Sequence, residues 1–407
     1  MTESAKPKVK KFKVRLDVDI AAKLTGFDTA KSATAAHRRI MNHFASVLLM
    51  GPPASDSMLE LMAHMFTEDE ADAAQHLPPL RPRTARRVAR LCGRPEPEVA
   101  SLLNNLADVK HVIAAWDTPR KYTILPIVPG TFEMAIMTPD LSRTNHWHKR
   151  FAELFEDIWD SGYMKDYVLK ATPPVRYLPV SAAAKTLATA WPADKLEQVL
   201  EPYDQFAIGH CQCRVVTHLA GKGCGKPTEN CVAIGPASEA VVSRGLMRTA
   251  SRQDVLDAKR HAEEHGCVTW MMNGNDYSKG SASCSCCGCC CHALRTITQF
   301  SAPGMISRPH FMPQRDEHAC THCGLCVAAC PMAAWSKVGG AIFFDQARCI
   351  GCGICTITCK ENALSLHEVP DATPIEKDLD ILFKKSMPAY IANAAKLWLK
   401  RTIPLSF

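Results

Sequence analysis

The sequence predicts a multidomain α+β protein. Its 407 residues suffice for two or three packed cores. Before position 141, segments with the apolar spacing of helices are interleaved with short segments that have strand periodicity. Towards the other end, the pattern of cysteines at 320–330 recurs at 349–359, which indicates two copies of one small structural element. These features favour several mixed domains over one continuous fold.

Residues 1–56 are predicted to form an extension with one strand and one helix. Residues 14–20 alternate apolar and polar side chains, as in a strand with one buried face. Residues 35–49 have helical spacing, and Gly51 followed by two prolines ends that helix.

Residues 57–140 have the order of elements of a winged helix. Thr67 and Glu70 have capping-box spacing. Glu96 and Glu98 open the helix in the recognition position, which carries no Lys or Arg, although DNA phosphates require cations. We therefore favour a structural or docking role, and the basic segment 83–90 keeps DNA binding as the alternative. The predicted helices cover 58–65, 67–76, 84–92 and 96–107, and the hairpin strands cover 112–116 and 122–125.

The middle region, 141–310, is predicted to be cysteine-rich and mainly helical. Helices are expected at 151–158, 181–189, 195–200, 238–245 and 251–265. The tail, 371–407, is predicted to hold a helix over 387–398 with Pro388 in its first turn. Its stripe of Ile391, Ala395 and Trp398 is expected to pack on the protein's own core, with a membrane-surface role as the alternative.

The cysteine repeat predicts two [4Fe-4S] clusters. Three thiolates two residues apart can each reach a different iron of one cluster, while the fourth, on the following helical turn, points towards the other cluster. The spacing of zinc sites, two Cys pairs with a longer gap, is different. The first predicted set is Cys320, Cys323, Cys326 and Cys359, and the second is Cys330, Cys349, Cys352 and Cys355.

This segment, at about 315–367, resembles the bacterial two-cluster ferredoxins. The resemblance implies a βαββαβ domain over 311–370. Pro331 follows the first motif as in that family, but Lys360 stands in the corresponding place after the second. This change keeps the fourth ligand and adds a cation near one cluster.

A second set of cysteines precedes the repeat. Four cysteines between 211 and 231 suffice for an iron-sulfur cluster or a tetrahedral zinc ion. The dense run 284–291 cannot all bind one metal, because neighbouring side chains point in different directions. It could cap one cluster from two sides, bridge two sites or include a redox dithiol. Candidate ligands of a third site, with iron-sulfur, zinc or free thiols as the options, are Cys211, Cys213, Cys224, Cys231, Cys284, Cys287 and Cys291.

Together, the winged-helix-like start, the Cys-x-Cys-Arg motif at 211–214, the cysteine run and the terminal repeat resemble a family of bacterial 4Fe-4S dicluster proteins. The resemblance extends from about Ser57 onward. It implies that the cysteine-rich middle takes part in the function, but it implies no particular reaction.

The expected function is electron transfer, as a carrier or as a subunit of an oxidoreductase with a redox partner protein. A redox-sensing DNA-binding regulator and a catalytic Fe-S reductase are the alternatives. The glycine-rich loop 221–226 lacks the spacing of a phosphate-binding motif, so no nicotinamide or flavin site is predicted. The clustered cysteines, the absence of a signal-like apolar segment and the lack of a long apolar run predict a protein of the reducing cytoplasm without a membrane span.

Overall fold

A computed structural model describes residues 33–79, 81–167, 173–187, 192–302 and 304–402. The predicted mixture of helices and sheets is confirmed. The strand predicted at 14–20 lies outside the described residues. Of the described residues, 33–79, 81–167, 215–223 and 391–402 form one unit, called here the helical unit, and the others form the cysteine unit. Among the described residues, no helix combines the length and apolar composition needed to cross a membrane.

The helical unit contains seven helices and a hairpin before residue 161, within the part that the structure describes. The Thr67 side chain accepts a hydrogen bond from the Glu70 backbone and the Glu70 carboxylate caps Thr67 in return, so the predicted capping box is confirmed. The elements are α1 (Ala35–Phe44), α2 (Asp56–Met65), α3 (Glu68–Ala74), α4 (Ala85–Cys92), α5 (Glu96–Asn104), β1 (Ala114–Trp116), β2 (Lys121–Thr123), α6 (Phe132–Ile136) and α7 (His146–Asp160).

Helix boundaries differ from the sequence predictions where local turns intervene. After α1, Ser46 caps a short 3₁₀ turn, so the helix predicted to reach residue 49 ends at Phe44. α5 is followed by one π-helical turn, Asn105–Val109. α7 begins five residues before its predicted start. The Asn145 side chain caps it by accepting hydrogen bonds from the backbone N-H groups of Trp147 and His148.

A six-stranded sheet forms the centre of the cysteine unit. The prediction of a mainly helical middle region is wrong in this respect, because it leaves this sheet out. Its order is β3-β7-β9-β5-β4-β6, and all its neighbouring strands are antiparallel. The strands are β3 (Val175–Tyr177), β4 (Phe206–His210), β5 (Glu229–Ile234), β6 (Arg248–Ala250), β7 (Val268–Met272) and β9 (Ser281–Cys286).

Six helices accompany the sheet in the chain. The capping box of Ser251 and Asp254 begins α12 as predicted. α8 ends at Ala184, before the described residues stop at 187, so the prediction for 188–189 lies outside them. The helices are α8 (Ser181–Ala184), α9 (Leu196–Leu200), α10 (Gln212–Leu219), α11 (Pro236–Val242), α12 (Arg252–Glu264) and α13 (His292–Thr298).

The cysteine repeat follows in the order strand, helix, strand, strand, helix, strand. β10 pairs antiparallel with β13, and β11 with β12. These elements are β10 (Phe311–Arg315), α14 (Leu325–Ala329), β11 (Trp335–Val338), β12 (Ala341–Phe344), α15 (Ile354–Thr358) and β13 (Leu364–Glu368). Two short strands, β8 (Gly274–Asp276) and β14 (Glu376–Asp378), pair in parallel.

The last helix, α16 (Leu379–Thr402), begins eight residues before its predicted start and continues through Pro388. The expected burial of its apolar stripe is wrong, since Ile391, Ala395 and Trp398 are all exposed. Ala394 and Leu397 are the buried positions of this stretch.

Candidate metal centres

Four cysteines of the repeat line a cavity of about 370 Å³ near the surface of the cysteine unit. Two of them precede α14 and one lies in its first turn, while the fourth follows α15. Cys323 is exposed and the other three are half-buried. This surface group consists of Cys320, Cys323, Cys326 and Cys359.

The other four cysteines of the repeat line a second cavity, of about 320 Å³. Cys330 follows α14, yet it lies with the three cysteines that surround the start of α15. Cys352 and Cys355 are buried. This buried group consists of Cys330, Cys349, Cys352 and Cys355. The structure thus brings the eight cysteines together in the two sets that the repeat predicted, while their ligation of clusters stays a prediction.

The buried group has backbone donors and an apolar surrounding. The Gly351 N-H donates to Cys349 Sγ at 3.4 Å, and the Ala334 N-H donates to Cys330 Sγ at 3.3 Å. Gly351 has φ +69° and a Cβ there would lie 2.4 Å from the Phe311 carbonyl oxygen, so only glycine fits. Amide N-H groups directed at cluster sulfurs raise the reduction potential.

Burial raises the pKa of the Cys349 thiol to about 11 and that of Cys355 to about 12. Without a positive partner, both thiols would remain protonated at neutral pH. A metal centre supplies that positive charge, because metal ligation requires the thiolate form. The residues of this cavity fit a metal centre because four thiols line it and amide N-H groups point at two of the sulfurs.

Residues 312–360 match the family model of a 4Fe-4S dicluster domain. This segment is similar to 4Fe-4S dicluster domains. The dicluster segment contains all eight cysteines of the repeat, so the predicted resemblance is confirmed for this part of the chain and iron-sulfur binding is assigned to it. No curated protein and no solved structure matches the chain. For the rest of the sequence, the family resemblance stays a prediction.

A third group of cysteines lies in the middle region and is called the four-thiol group. Its sulfur atoms all lie within 4.8 Å of one another. Cys224 Sγ is 3.9 Å from Cys287 Sγ, and Cys289 Sγ is 3.8 Å from Cys290 Sγ. The first cysteine comes from the loop before β5, and the others from the turn after β9. The group consists of Cys224, Cys287, Cys289 and Cys290.

The fully buried Arg214 guanidinium lies beside the four-thiol group. Its Nη1 is 3.9 Å from Cys287 Sγ and 3.7 Å from the buried Cys267 Sγ, and it donates to the Ser285 carbonyl. Neighbouring thiols, Cys224 first, and the Arg214 charge hold the pKa of Cys287 far below its ordinary value. This arrangement favours a thiolate at Cys287, as metal binding requires.

Six further cysteines form a separate group, called here the six-thiol group. Cys231 Sγ and Cys284 Sγ are 3.8 Å apart on the paired strands β5 and β9. The thiols of Cys213 and Cys286 hold the pKa of Cys291 well below its ordinary value, which places these three close together. The thiol of Cys213 also lowers the pKa of Cys211 to about 7. The members are Cys211, Cys213, Cys231, Cys284, Cys286 and Cys291.

The seven cysteines predicted for one third site therefore fall into two places. Cys224 and Cys287 belong to the four-thiol group, and the other five belong to the six-thiol group. Sequence reasoning missed Cys286, Cys289 and Cys290. The available signal was the dense run itself. It has more thiols than one metal can bind, which already allowed a bridge between two sites.

Proposed function

We propose that this chain is an iron-sulfur electron-transfer protein, either an electron carrier or a subunit of an oxidoreductase with a redox partner protein. The division of the repeat into two groups of four cysteines, each around its own cavity, carries the proposal. The surface group would hold one [4Fe-4S] cluster and the buried group the other. The order of strands and helices in this segment supports a bacterial-ferredoxin-like domain.

When bound, such clusters supply reversible one-electron transfer. The exposed Cys323 marks the side at which a partner protein can approach. Lys360, exposed beside Cys359, offers a positive charge that favours the more negative, reduced state and attracts an acidic partner. Around the buried group, Ile350, Ile354 and their apolar neighbours exclude water. A reducing compartment such as the cytoplasm suits these thiols.

We propose further that the four-thiol group holds a single metal ion. A tetrahedral zinc ion with Zn-S bonds of about 2.3 Å places its four sulfurs about 3.8 Å apart. The separations of 3.9 Å and 3.8 Å in the structure agree with this spacing. Zinc and a single iron ion share this thiolate chemistry, and the metal content distinguishes them.

The experiment is anaerobic purification of the full chain, followed by iron and acid-labile sulfide analysis and EPR after dithionite reduction. The proposal predicts at least about eight sulfides per chain and signals of reduced [4Fe-4S] clusters. Cys323→Ser is expected to lose about four sulfides, while the control Cys92→Ser, in α4 of the helical unit, is expected to lose none. Fewer than eight sulfides in the wild-type protein after reconstitution would refute the two-cluster assignment.

A catalytic reductase is a second candidate, because a cleft of about 1250 Å³ borders the buried group. Its lining includes Arg308, Met312, Phe344 and Cys349. A small substrate bound there would lie next to a predicted cluster ligand. Dithionite-reduced protein should then be reoxidised by that substrate, and Met312→Trp, which fills the cleft, should abolish the reoxidation without loss of sulfide. If no candidate compound reoxidises the protein, the carrier function stands.

We propose that residues 57–140 form a winged-helix-like docking module and do not read DNA. The first turn of α5 exposes Glu96 and Glu98, which would repel phosphates. α4 exposes Arg86, Arg87 and Arg90, and the regulator alternative would place Arg86 and Arg87 against DNA phosphates. Salt-dependent binding of duplex DNA by the holoprotein, lost on charge reversal of these two arginines, would favour the regulator.

A further inference from the structure

The six-thiol group lies outside both the dicluster segment and the four-thiol group. Its cysteines come from structural elements that the sheet holds in place. Cys231 belongs to β5, Cys284 and Cys286 to β9, and Cys291 caps α13. Cys211 and Cys213 lie at the junction of β4 and α10, where the Cys211 N-H donates to the Thr228 carbonyl.

The spacing of these thiols differs from that of the four-thiol group. Among the described residues, only the four-thiol group has three or more ligand atoms that all lie within 4.8 Å of one another. No three of the six sulfurs therefore lie close enough together to surround one ion, although Cys231 Sγ and Cys284 Sγ are neighbours at 3.8 Å. Among the described residues, the cysteines of the dicluster segment likewise include no three sulfurs within 4.8 Å of one another. Wide spacing is what a cluster requires, because each thiolate binds a different iron.

A buried hydroxyl points to a ligand in this place. Tyr177 of β3 is buried, and its hydroxyl has no hydrogen-bond partner among the described residues. It packs in the same apolar core as Cys286 and Cys291. A buried hydroxyl without an acceptor is unfavourable, and a cluster sulfur would supply the acceptor.

The six-thiol group is packed against the dicluster segment. One apolar core of the cysteine unit contains Cys286 and Cys291 together with Met332, Ile350 and Cys352. Cys284, Cys330 and Cys349 pack against the same core. Protein atoms thus fill the space between the six-thiol group and the buried group, which suits electron exchange between them.

We propose that four thiolates of the six-thiol group hold a third iron-sulfur cluster, which exchanges electrons with the buried cluster of the dicluster segment. This inference rests on the proposed electron-transfer function. It gives the sheet of the cysteine unit a role in electron transfer. The hydroxyl of Tyr177 tunes the potential of this centre by donating a hydrogen bond to its sulfur.

The test is acid-labile sulfide per full-length chain after anaerobic reconstitution with iron and sulfide. Sulfide is decisive because the single ion of the four-thiol group brings none. The wild-type protein should contain about twelve sulfides. The triple variant Cys231→Ser, Cys284→Ser and Cys286→Ser leaves three thiols in the group, too few for four ligands, and should contain about eight.

A matched triple variant provides the control: Cys224→Ser, Cys289→Ser and Cys290→Ser. It should lose one metal ion and keep about twelve sulfides. Equal sulfide in the wild-type protein and the first triple variant would overturn the proposal. So would about eight sulfides in the wild-type protein, a result that leaves the dicluster assignment intact and does not depend on the folding of a variant.

A second measurement uses the Tyr177→Phe variant. It should retain about twelve sulfides and show one redox transition shifted to a more negative potential, because a hydrogen bond to cluster sulfur is lost. A titration identical to that of the wild-type protein would overturn the role of this hydroxyl. Disulfides among the six cysteines, found by mass spectrometry in anaerobic wild-type protein, would overturn the cluster itself.

Discussion

Replacing Lys110 by methionine is expected to destabilise the helical unit by about 3–5 kcal/mol. Lys110 Nζ is 2.5 Å from Glu70 Oε2, and both side chains are only 2% exposed. The Glu70 carboxylate also accepts hydrogen bonds from the Asn105 side chain at 2.6 Å and from the Thr67 backbone at 2.7 Å. Removal of the ammonium leaves a buried charge with two neutral donors, which cannot replace a cation.

Two further variants test whether the missing charge causes the loss of stability. In a variant that combines Lys110→Met with Glu70→Gln, no unpaired charge remains, so part of the loss should be recovered. The exposed pair of Lys149 and Glu153, at 3.9 Å, provides the matched control. Lys149→Met should cost about 0–1 kcal/mol, because water screens this pair.

Native-state hydrogen exchange of peptides from α3 and α5 is the suitable assay, since a chain of two units need not unfold in one step. A loss of about 3–5 kcal/mol corresponds to exchange about two to three and a half orders of magnitude faster. Exchange in Lys110→Met that matches the Lys149→Met control would refute the reasoning.

Three further predictions concern the cysteines of the dicluster segment, the turn around Gly288 and stability in acid. Cys359→Ser should make the exposed Cys323 reactive towards iodoacetamide, whereas Cys330→Ser should leave Cys323 protected; the opposite result would contradict the crossed ligand sets. A Cβ at Gly288 would lie 1.7 Å from the Pro331 carbonyl oxygen, so Gly288→Ala must displace the turn that carries Cys287, Cys289 and Cys290. This variant should release its metal to a chelator faster than the wild-type protein, and an unchanged rate would contradict the prediction. Burial lowers the pKa of His64 to about 4, so stability should fall as the pH decreases from about 6.5 to 4, and His64→Gln should flatten that dependence in urea unfolding.

Local signals in the sequence were sufficient for many of the helices. The capping boxes at Thr67 and Ser251 both form, because each depends on side chains three residues apart. The hairpin of β1 and β2 also forms across its short turn, with Ala115 opposite Tyr122. The start of α16 could not be predicted in the same way, since Pro388 suggested a helix start and instead lies inside a longer helix.

The sheet of the cysteine unit could not be predicted from local pattern. Its strands have three to six residues, and β9, with the sequence SASCSC, has no large apolar side chain to reveal its period. Its neighbours in the sheet are β5 and β7, and β5 lies nearly fifty residues earlier in the chain. Such non-local pairing is set by tertiary packing, which spacing along the chain does not encode.

The grouping of the cysteines follows the same distinction. Within the repeat, three cysteines of each set lie within seven residues of one another, and the fourth is assigned by the crossed pattern of the two copies, so spacing alone predicted the two sets. Cys224 and Cys287 are far apart in sequence, and the sheet and its loops bring them together. For this reason the sequence shows how many thiols the middle region has, but it does not show how they separate into two groups.

The dense run 284–291 serves two groups because its backbone changes direction within it. Cys284 and Cys286 alternate with serine in β9, so their side chains share one face of the sheet and join the six-thiol group. After the strand ends, the turn around Gly288 passes against the Pro331 carbonyl and directs Cys287, Cys289 and Cys290 to the four-thiol group. The chain then returns at Cys291 to the first group. The four thiols around the turn lie within 4.8 Å of one another and suit one ion, whereas no three of the described sheet thiols lie that close together. If both proposals hold, one short segment of sequence would provide ligands for two different kinds of metal centre.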